Sequence, residues 1–322
     1  MKIAVLQFNP RLGEQSQNIA RADSLLSTNQ SNLDLLVLPE LAFSGYNFPS
    51  LSAITPFLEP TTSGPTTQWA SRVAQTRNCT VIVGYPEICT NPDGSTTNYN
   101  STVTVGPQGE ILANYRKSFL YYTDETWATE GFKSSPNQSP FFAGQLGRLG
   151  LVGHGICMDI NPHRFEAPWT DYEFANTMLR NGCKLIVLSM AWLTRLTPED
   201  TEAHASLPDM ETVAYWLERF WPFQEARSQE PIVVVFANRC GSEGVIEGER
   251  VLEHGSSIEL GNRVAYAGSS CVMKFQGGSV KLWEHFVGPN KGEVGLLGKG
   301  EEAVLVIDTG SGAGFLLQQK AG

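Results

Sequence analysis

The chain has 322 residues, a length that allows one large domain or two small ones. Its 23 Lys and Arg residues against 33 Asp and Glu residues give a net charge of −10, which disfavours binding to nucleic-acid phosphates or to anionic membrane surfaces. Charged residues make up only 17% of the chain, below the roughly 25% of an average soluble domain. The composition therefore predicts a compact globular protein.

The sequence shows no pattern typical of a membrane span, a secretory leader or a zinc site. No window approaches the roughly 18 consecutive apolar residues of a membrane helix, and the first apolar run is interrupted at Gln7. The six cysteines form no Cys-x-x-Cys pair and have no histidine at ligand spacing. We expect reduced thiols, no bound metal and a cytoplasmic location.

Short apolar runs predict buried strands, and helical patterns lie between several of them. The strands are predicted at 3–8, 33–39, 80–85, 149–156, 184–189, 232–237 and 303–308, and the helices at 15–26, 66–75, 172–179 and 210–227. A capping-box pattern, Thr170 with Glu173, is expected to start the third helix.

Other stretches have the pattern of antiparallel strands. A hairpin is predicted to join 101–105 to 110–115, and further strands are expected within 256–275. Strand-helix alternation with inserted hairpins predicts an α/β fold with a mixed sheet. Because no linker or charge run divides the chain, we predict one domain over residues 1–322.

Three reactive side chains follow predicted strands, where loops can gather residues that are distant in sequence. Glu40 follows LLVLP, Lys117 follows ANYR and Cys157 follows LVGHGI. A cysteine at such a junction can face a cleft together with backbone N–H groups, which suits a nucleophile beside an oxyanion hole. A carboxylate to take the thiol proton and a cation to favour the thiolate would complete the chemistry.

Spacing alone leaves other interpretations open. A free cysteine is most often a buried packing residue, and the other five cysteines are predicted to be so. His154 lies three residues before Cys157 and offers a Cys-His dyad instead. Along an extended strand, however, a residue three positions away points to the opposite face, so His154 is expected to pack away from the sulfur. Spacing alone does not bring Glu40, Lys117 and Cys157 together.

Three segments resemble the catalytic blocks of the nitrilase superfamily, which are carbon-nitrogen hydrolases with a Glu-Lys-Cys triad. They are LVLPELAFSGYNF at 36–48, NYRKSFLYYTDETWATEG at 114–131 and HGICMDINPHRFEAPW at 154–169. The likeness extends to NRCGSEG at 238–244 and HGSSIE at 254–259. Within the superfamily, FLYYTDETW, CMDINP and SMAWL resemble the fungal protein N-terminal amidase branch.

The resemblance implies a fold and an activity. The fold is a four-layer α-β-β-α sandwich, often self-associated, so a homodimer is possible. The activity is conversion of N-terminal Asn or Gln of proteins or peptides to Asp or Glu, with release of ammonia, in the N-degron pathway. It requires neither a metal nor an organic cofactor.

The resemblance also assigns roles to particular residues. Cys157 is the nucleophile and Glu40 the acid and base, while Lys117 and the N–H of Met158 hold the oxyanion. Glu125 corresponds to a second glutamate of the superfamily, which would orient the lysine or the substrate. These assignments come from the motifs, not from spacing.

A terminal residue with an α-ammonium and a carboxamide calls for a carboxylate in the pocket and for walls that exclude longer amides. The acidic candidates near the blocks are Asp124, Glu130, Asp159 and Glu166. A structural role in the turn after Cys157 is favoured for Asp159. The candidate walls are Tyr121, Trp127 and Trp192.

Two other functions fit the same motifs. One is a small-molecule amidase, nitrilase or N-carbamoyl amino acid hydrolase of the same superfamily. The other is a protein that binds N termini without hydrolysing them. The sequence leaves open the preference between Asn and Gln and the identity of the group that binds the α-ammonium.

Overall fold

Two large β-sheets form the centre of the computed structural model, which describes residues 1–29, 31–134, 139–244, 249–251, 257–259 and 262–317. The first sheet has the order β17-β1-β2-β4-β5-β6, with β3 paired to β4. Its strands are β1 (Lys2–Gln7), β2 (Leu35–Val37), β3 (Glu59–Pro60), β4 (Thr80–Thr90), β5 (Thr96–Val105), β6 (Ile111–Arg116) and β17 (Ala303–Asp308). Strands β1, β2 and β4 are parallel, whereas β5, β6 and β17 pair antiparallel.

The second sheet has the order β18-β16-β15-β10-β9-β8-β7 and is also mixed. Its strands are β7 (Phe142–Gln145), β8 (Leu151–Ile156), β9 (Leu185–Met190), β10 (Ile232–Asn238), β15 (Cys271–Gln276), β16 (Ser279–Leu282) and β18 (Phe315–Leu317). Strands β8, β9 and β10 are parallel. Two short pairs lie outside the sheets: β11 (Ser242–Glu243) with β14 (Val264–Ala265), and β12 (Glu249–Val251) with β13 (Ser257–Glu259).

The α-helices flank the outer faces of the sheets or connect their strands. They are α1 (Gln15–Ser27), α2 (Leu51–Ile54), α3 (Pro65–Arg77), α4 (Glu173–Arg180), α5 (Pro198–Ala203), α6 (Met210–Arg219) and α7 (Trp221–Glu225). None of these described helices has the length and apolar character needed to cross a bilayer.

Successive side chains of a strand point to opposite faces of its sheet, so one face packs against the other sheet and the other face packs against helices. In β1, Ile3 and Val5 belong to a buried cluster with residues of β8, β9 and β10, so this face packs against the second sheet. The intervening Ala4 and Leu6 belong to a cluster with residues of α1 and α3. The outer face of the second sheet packs on α4, α6 and α7. The predicted four-layer α-β-β-α sandwich is confirmed.

Two local predictions are wrong. The pattern at 210–227 forms two helices rather than one. The first helix, α6, ends at Arg219, and α7 begins at Trp221 with Pro222 in its first turn, where the missing N–H of proline costs no helical hydrogen bond. The predicted capping box is not formed: α4 starts after Tyr172, which has a left-handed conformation. The side chain of Glu173 instead accepts a hydrogen bond from the N–H of His163.

The hairpin predicted at 101–115 is confirmed as β5 and β6, and the strands expected within 256–275 include β13, β14 and β15. Residues 254–256 of the HGSSIE segment lie outside the described residues, as do 260 and 261.

Candidate active site

Three strand ends from the two sheets bring the predicted reactive residues together. Glu40 follows β2 and Lys117 follows β6 in the first sheet, while Cys157 follows β8 in the second. Lys117 Nζ lies 2.6 Å from Glu40 Oε1, and both side chains are fully buried. The thiol of Cys157 interacts electrostatically with both, and this residue is 7% exposed.

Two further side chains complete a closed network around the lysine. Lys117 Nζ donates to Asp124 Oδ2 at 2.6 Å. Asn100 Nδ2 donates both to Glu40 Oε1 at 2.7 Å and to Asp124 Oδ1 at 3.0 Å. The second oxygen of Glu40, Oε2, accepts from the N–H of Ala191 at 2.8 Å. The lysine therefore lies between two carboxylates that a neutral amide also joins.

Burial and charge shift the ionisation of this network. Burial raises the pKa of Glu40 more than Lys117 lowers it. Burial lowers the pKa of Lys117, but Asp124 and Glu40 outweigh it, so the lysine stays charged. Burial and the charge of Glu40 hold the pKa of the Cys157 thiol well above its usual range. The resting thiol is therefore neutral, and attack requires transfer of its proton to a nearby base.

The turn at Cys157 is fixed by one buried carboxylate. Cys157 has a positive φ of 43° and begins a short 3₁₀ helix, Cys157–Ile160. Asp159 in this turn accepts from the N–H of Ile156 at 2.8 Å, from the N–H groups of Ser118 and Phe119, and from the hydroxyl of Tyr115. Burial raises the pKa of Asp159 to about 6. This carboxylate ties the nucleophile turn to the segment that carries Lys117.

The loop after Glu40 is fixed by a buried ion pair. Glu243 pairs with Arg239, and both side chains are almost fully buried. Glu243 also accepts from the N–H groups of Tyr46 and Asn47. Since Tyr46 lines the cavity described below, this ion pair sets the position of one cavity wall.

A glycine in the first sheet allows Glu40 to lie against strand β4. A Cβ atom added at Gly84 would lie 2.7 Å from the Cα of Glu40 and 2.6 Å from the backbone nitrogen of Leu41. Gly84 N–H donates to the carbonyl of Pro39, and the N–H of Ala42 donates to the carbonyl of Gly84. Only a residue without a side chain permits this approach.

A cavity of about 630 Å³ opens above Cys157. Its aromatic lining includes Tyr121, Trp192 and Tyr215, and Met158 lies beside the thiol. The rings of Trp192 and Tyr215 are 5.2 Å apart. Four charged side chains also line the cavity: the cation Arg195, and the carboxylates Asp209, Glu211 and Glu218, which we call the acidic wall. The site thus combines a thiol with an apolar wall and an acidic wall.

Glu125 does not join the lysine network, so its assignment is wrong. Its side chain is exposed, whereas the neighbouring Asp124 is fully buried and contacts Lys117. Both lie in the short 3₁₀ helix Asp124–Thr126. With three residues per turn, adjacent side chains point about 120° apart, so only one of them faces the lysine.

The cavity contains only part of the predicted pocket. Tyr121, Met158 and Trp192 line it, whereas Trp127 packs in a separate buried cluster. None of the four predicted acidic residues lines it. Asp124 and Asp159 make the hydrogen bonds given above, Glu166 is exposed, and Glu130 pairs with His163 and Lys133.

Sequence reasoning missed two features of the site, Asn100 and the acidic wall. Asn100 was detectable in principle, because asparagine is depleted in strands and this one lies within β5. Asp209 precedes α6 and accepts from the N–H of Thr212, so its sequence signal is that of a helix cap. No sequence signal joins Glu218 to Cys157.

His154 takes no part in the network of Glu40, Lys117, Asp124 and Asn100. Its Nδ1 lies 3.3 Å from the hydroxyl of Thr102, and its ring lies 5.5 Å from the ring of Tyr115. The residue is 1% exposed, and burial lowers its pKa to about 3. A neutral, enclosed imidazole of this kind is a packing residue.

Comparison with known proteins assigns the family. The carbon-nitrogen hydrolase model matches residues 2–165, and the chain belongs to this family. It is 36% identical over 298 residues to the protein N-terminal amidase of Schizosaccharomyces pombe, a match that covers 88% of this chain and 94% of the relative. It is 33% identical to the protein N-terminal amidase of Saccharomyces cerevisiae over 64% of this chain, but that match spans 48% of the yeast protein.

Solved structures agree on the fold. A crystal structure of an N-terminal amidase with an Asn-Glu-Ala peptide superposes with a TM-score of 0.73 at 24% identity, covering 95% of this chain and 97% of the other. A nitrilase-superfamily amidase from Nesterenkonia AN1 gives a TM-score of 0.60 at 20% identity, covering 96% of this chain and 91% of the other. The superfamily and the fold predicted from the motifs are confirmed.

Proposed function

We propose that the chain hydrolyses the side-chain amide of an N-terminal Asn or Gln, releasing ammonia and leaving an N-terminal Asp or Glu. The observation that carries the proposal is the thiol of Cys157 beside the Glu40–Lys117 pair at the base of a wide cavity. The two relatives named protein N-terminal amidase support the choice of substrate.

The geometry supports a thioester mechanism. Glu40 takes the proton of Cys157 as the sulfur attacks the amide carbon. The ammonium of Lys117 and the N–H of Met158, in the first turn of its 3₁₀ helix, stabilise the oxyanion. Glu40 then passes this proton to the amide nitrogen, so that the C–N bond breaks, ammonia leaves and the thioester remains. It next takes a proton from the water that hydrolyses the thioester.

The dimensions of the cavity favour a peptide over a free small amide. Even if each of the roughly eight non-hydrogen atoms of a terminal asparagine displaced as much as one water, about 30 Å³, the residue would fill at most about 240 Å³, and bonded atoms pack more closely than separate waters. That is less than half of the cavity of about 630 Å³. The remainder has room for the start of the following residues.

The acidic wall suits the α-ammonium of such a substrate. Asp209 is 8% exposed, and its hydrogen bonds within the described chain come from neutral donors, Thr194 and Thr212. Glu211 and Glu218, both on α6, also line the cavity, so its lining holds three carboxylates against the one guanidinium of Arg195. A cationic group entering here compensates this negative charge, which an N-acetylated terminus does not do.

The test is ammonia release from peptides that differ only at the first residue. Asn- and Gln-leading peptides are expected to react, whereas N-acetylated Asn and internal Asn are not. Preference for free glutamine, nitriles or N-carbamoyl amino acids over peptides would contradict the proposal.

A second experiment isolates the nucleophile. Cys157→Ala is expected to abolish turnover while leaving peptide binding measurable by calorimetry. Cys89→Ala is the matched control, because Cys89 lies in β4 and does not line the cavity. Ammonia release that persists in Cys157→Ala would exclude the thioester mechanism.

The proposal includes a cytoplasmic setting in which the product enters an N-degron pathway. All six cysteines lie in the described part of the chain and are free thiols, which suits a reducing compartment. The homodimer remains a prediction that light scattering of the purified protein can check.

A further inference from the structure

Asn100 is the neutral member of the buried network, and its amide is oriented by two charges. One nitrogen, Nδ2, donates to Glu40 Oε1 at 2.7 Å and to Asp124 Oδ1 at 3.0 Å. Its oxygen, Oδ1, is buried and has no hydrogen-bond partner among the described residues. The reverse orientation would direct Oδ1 at two carboxylates, so the residue serves this site through its two N–H groups.

The two oxygens of Glu40 are not equivalent as a result. A carboxylate oxygen has about two lone-pair sites. Oε1 accepts from Lys117 Nζ at 2.6 Å and from Asn100 Nδ2, so both of its sites are occupied. Among the described residues, the N–H of Ala191 at 2.8 Å is the one donor to Oε2, which leaves its second lone-pair site free within that part of the chain. Ala191 follows β9, whose Ser189 pairs with Ile156 beside Cys157, and Ala191 and Cys157 line the same cavity. The N–H that Oε2 accepts therefore comes from the strand next to the thiol, which places Oε2 on the thiol side.

We infer that Asn100 is a positioning residue that saturates Glu40 Oε1 and thereby makes Oε2 the oxygen that exchanges the proton with Cys157. In this step the S–H bond of Cys157 breaks, an O–H bond forms at Oε2, and the electron pair stays on sulfur. The inference deepens the proposed hydrolysis and rests on it for its catalytic meaning. Asn100 itself contacts no reacting atom.

Loss of the Asn100 amide also changes the charge balance around Glu40. The titratable groups that face Glu40 come from several segments: Lys117, Asp124, Cys157, Tyr46 and Tyr266. Lys117 is the cation among these five. A neutral donor to the ionised carboxylate lowers its pKa, so removal of that donor raises the pKa of the Glu40–Cys157 pair.

The experiment compares Asn100→Ala and Asn100→Asp with the unchanged protein over a range of pH. In Asn100→Ala, we expect the kcat for an Asn-leading peptide to fall about tenfold with KM changed less than about twofold, because the base is no longer oriented. The acidic limb of kcat/KM is expected to move up by about one to two pH units, as for loss of a hydrogen bond to a charged group. Asn100→Asp keeps the shape of the side chain but adds a third carboxylate beside Glu40 and Asp124. The acidic limb of its kcat/KM profile is therefore expected to move to a higher pH than that of Asn100→Ala.

The rate at which iodoacetamide alkylates Cys157 gives a readout that needs no substrate. Its acidic limb is expected to shift in the same direction, because alkylation and hydrolysis both require loss of the proton that the pair shares. If no peptide is hydrolysed but the alkylation limb still shifts, the proposed function fails and the role of Asn100 stands. The inference would be overturned if the acidic limbs of kcat/KM and of alkylation in both variants coincided with those of the unchanged protein.

Asn114→Ala is the matched control. Asn114 Nδ2 donates to the buried carboxylate of Glu87 at 3.0 Å, in the same sheet but away from the cavity. Asn114 is less buried than Asn100, but both donate to a buried carboxylate, so a purely structural role of such a bond would affect both positions alike. We expect Asn114→Ala to lower the urea midpoint without moving either acidic limb.

Discussion

Replacing His154 with glutamine is expected to make the protein less sensitive to acid. His154 is 1% exposed, and burial lowers its pKa from 6.5 to about 3. The unfolded chain therefore binds a proton near pH 6.5 that the folded chain does not accept until the pH is far lower. The free energy of unfolding consequently falls as the pH drops through this range.

The size of the effect follows from the two pKa values. Each unit of pKa difference corresponds to about 1.36 kcal/mol, so between pH 7.5 and pH 5 the histidine alone removes about 2 kcal/mol of stability. Over the full interval from 6.5 to about 3, the loss approaches about 5 kcal/mol. Glutamine does not titrate, so the variant lacks this part of the pH dependence.

The assay is urea denaturation of both proteins at pH 7.5 and pH 5, followed by tryptophan fluorescence. The substitution has its own cost at pH 7.5, since Thr102 loses its imidazole partner, so the informative quantity is how the difference between the two proteins changes with pH. His204→Gln, at an exposed position, controls for loss of a histidine. Parallel stability curves for the unchanged protein and His154→Gln would refute the assignment of a neutral buried imidazole.

Three further substitutions test other parts of the site. Asp124→Asn should lower kcat/KM at least about a hundredfold, because Lys117 loses one of its two carboxylate partners. Glu125→Gln should leave kcat/KM unchanged, and equal effects of the two substitutions in a peptide assay would contradict the placement of Asp124 rather than Glu125 beside the lysine. Arg239→Met leaves the buried Glu243 without its cation and should cost about 3–5 kcal/mol in urea denaturation; an unchanged midpoint would exclude the ion pair as a structural support. Asp159→Asn directs an amide N–H₂ at a backbone N–H and should cost about 3 kcal/mol; thermal denaturation with no loss of stability would contradict this.

The sandwich could be predicted from sequence because its central strands are apolar on both faces. IAVLQF and IVVVFA correspond to β1 and β10, whose residues face the other sheet and the outer helices in turn. The order of the strands in each sheet was not predictable, because an apolar run does not indicate which other strands it pairs with. In particular, β1 pairs with β17, so the first strand of the chain lies beside residues 303–308.

Sequence motifs could predict which residues lie at the site. They could not predict which of two adjacent side chains points into it. The blocks identified Glu40, Lys117 and Cys157, and the structure brings these residues together. Asp124 and Glu125 are adjacent acids, and only the rotation of a single 3₁₀ turn distinguishes them. The acidic wall arises from Asp209 and from residues on α6, and its approach to Cys157 depends on packing of the whole outer layer.

The close approach at Gly84 limits how this enzyme can be redesigned. A methyl group there would have to displace the backbone that carries Glu40, the proposed general base. Even alanine at position 84 is therefore expected to alter the proposed proton transfer, although β4 does not line the cavity. Mutagenesis aimed at new amide substrates should therefore leave the residues of β4 unchanged. Variation at Trp192 and Tyr215 reshapes the chamber while leaving the proton-transfer geometry in place.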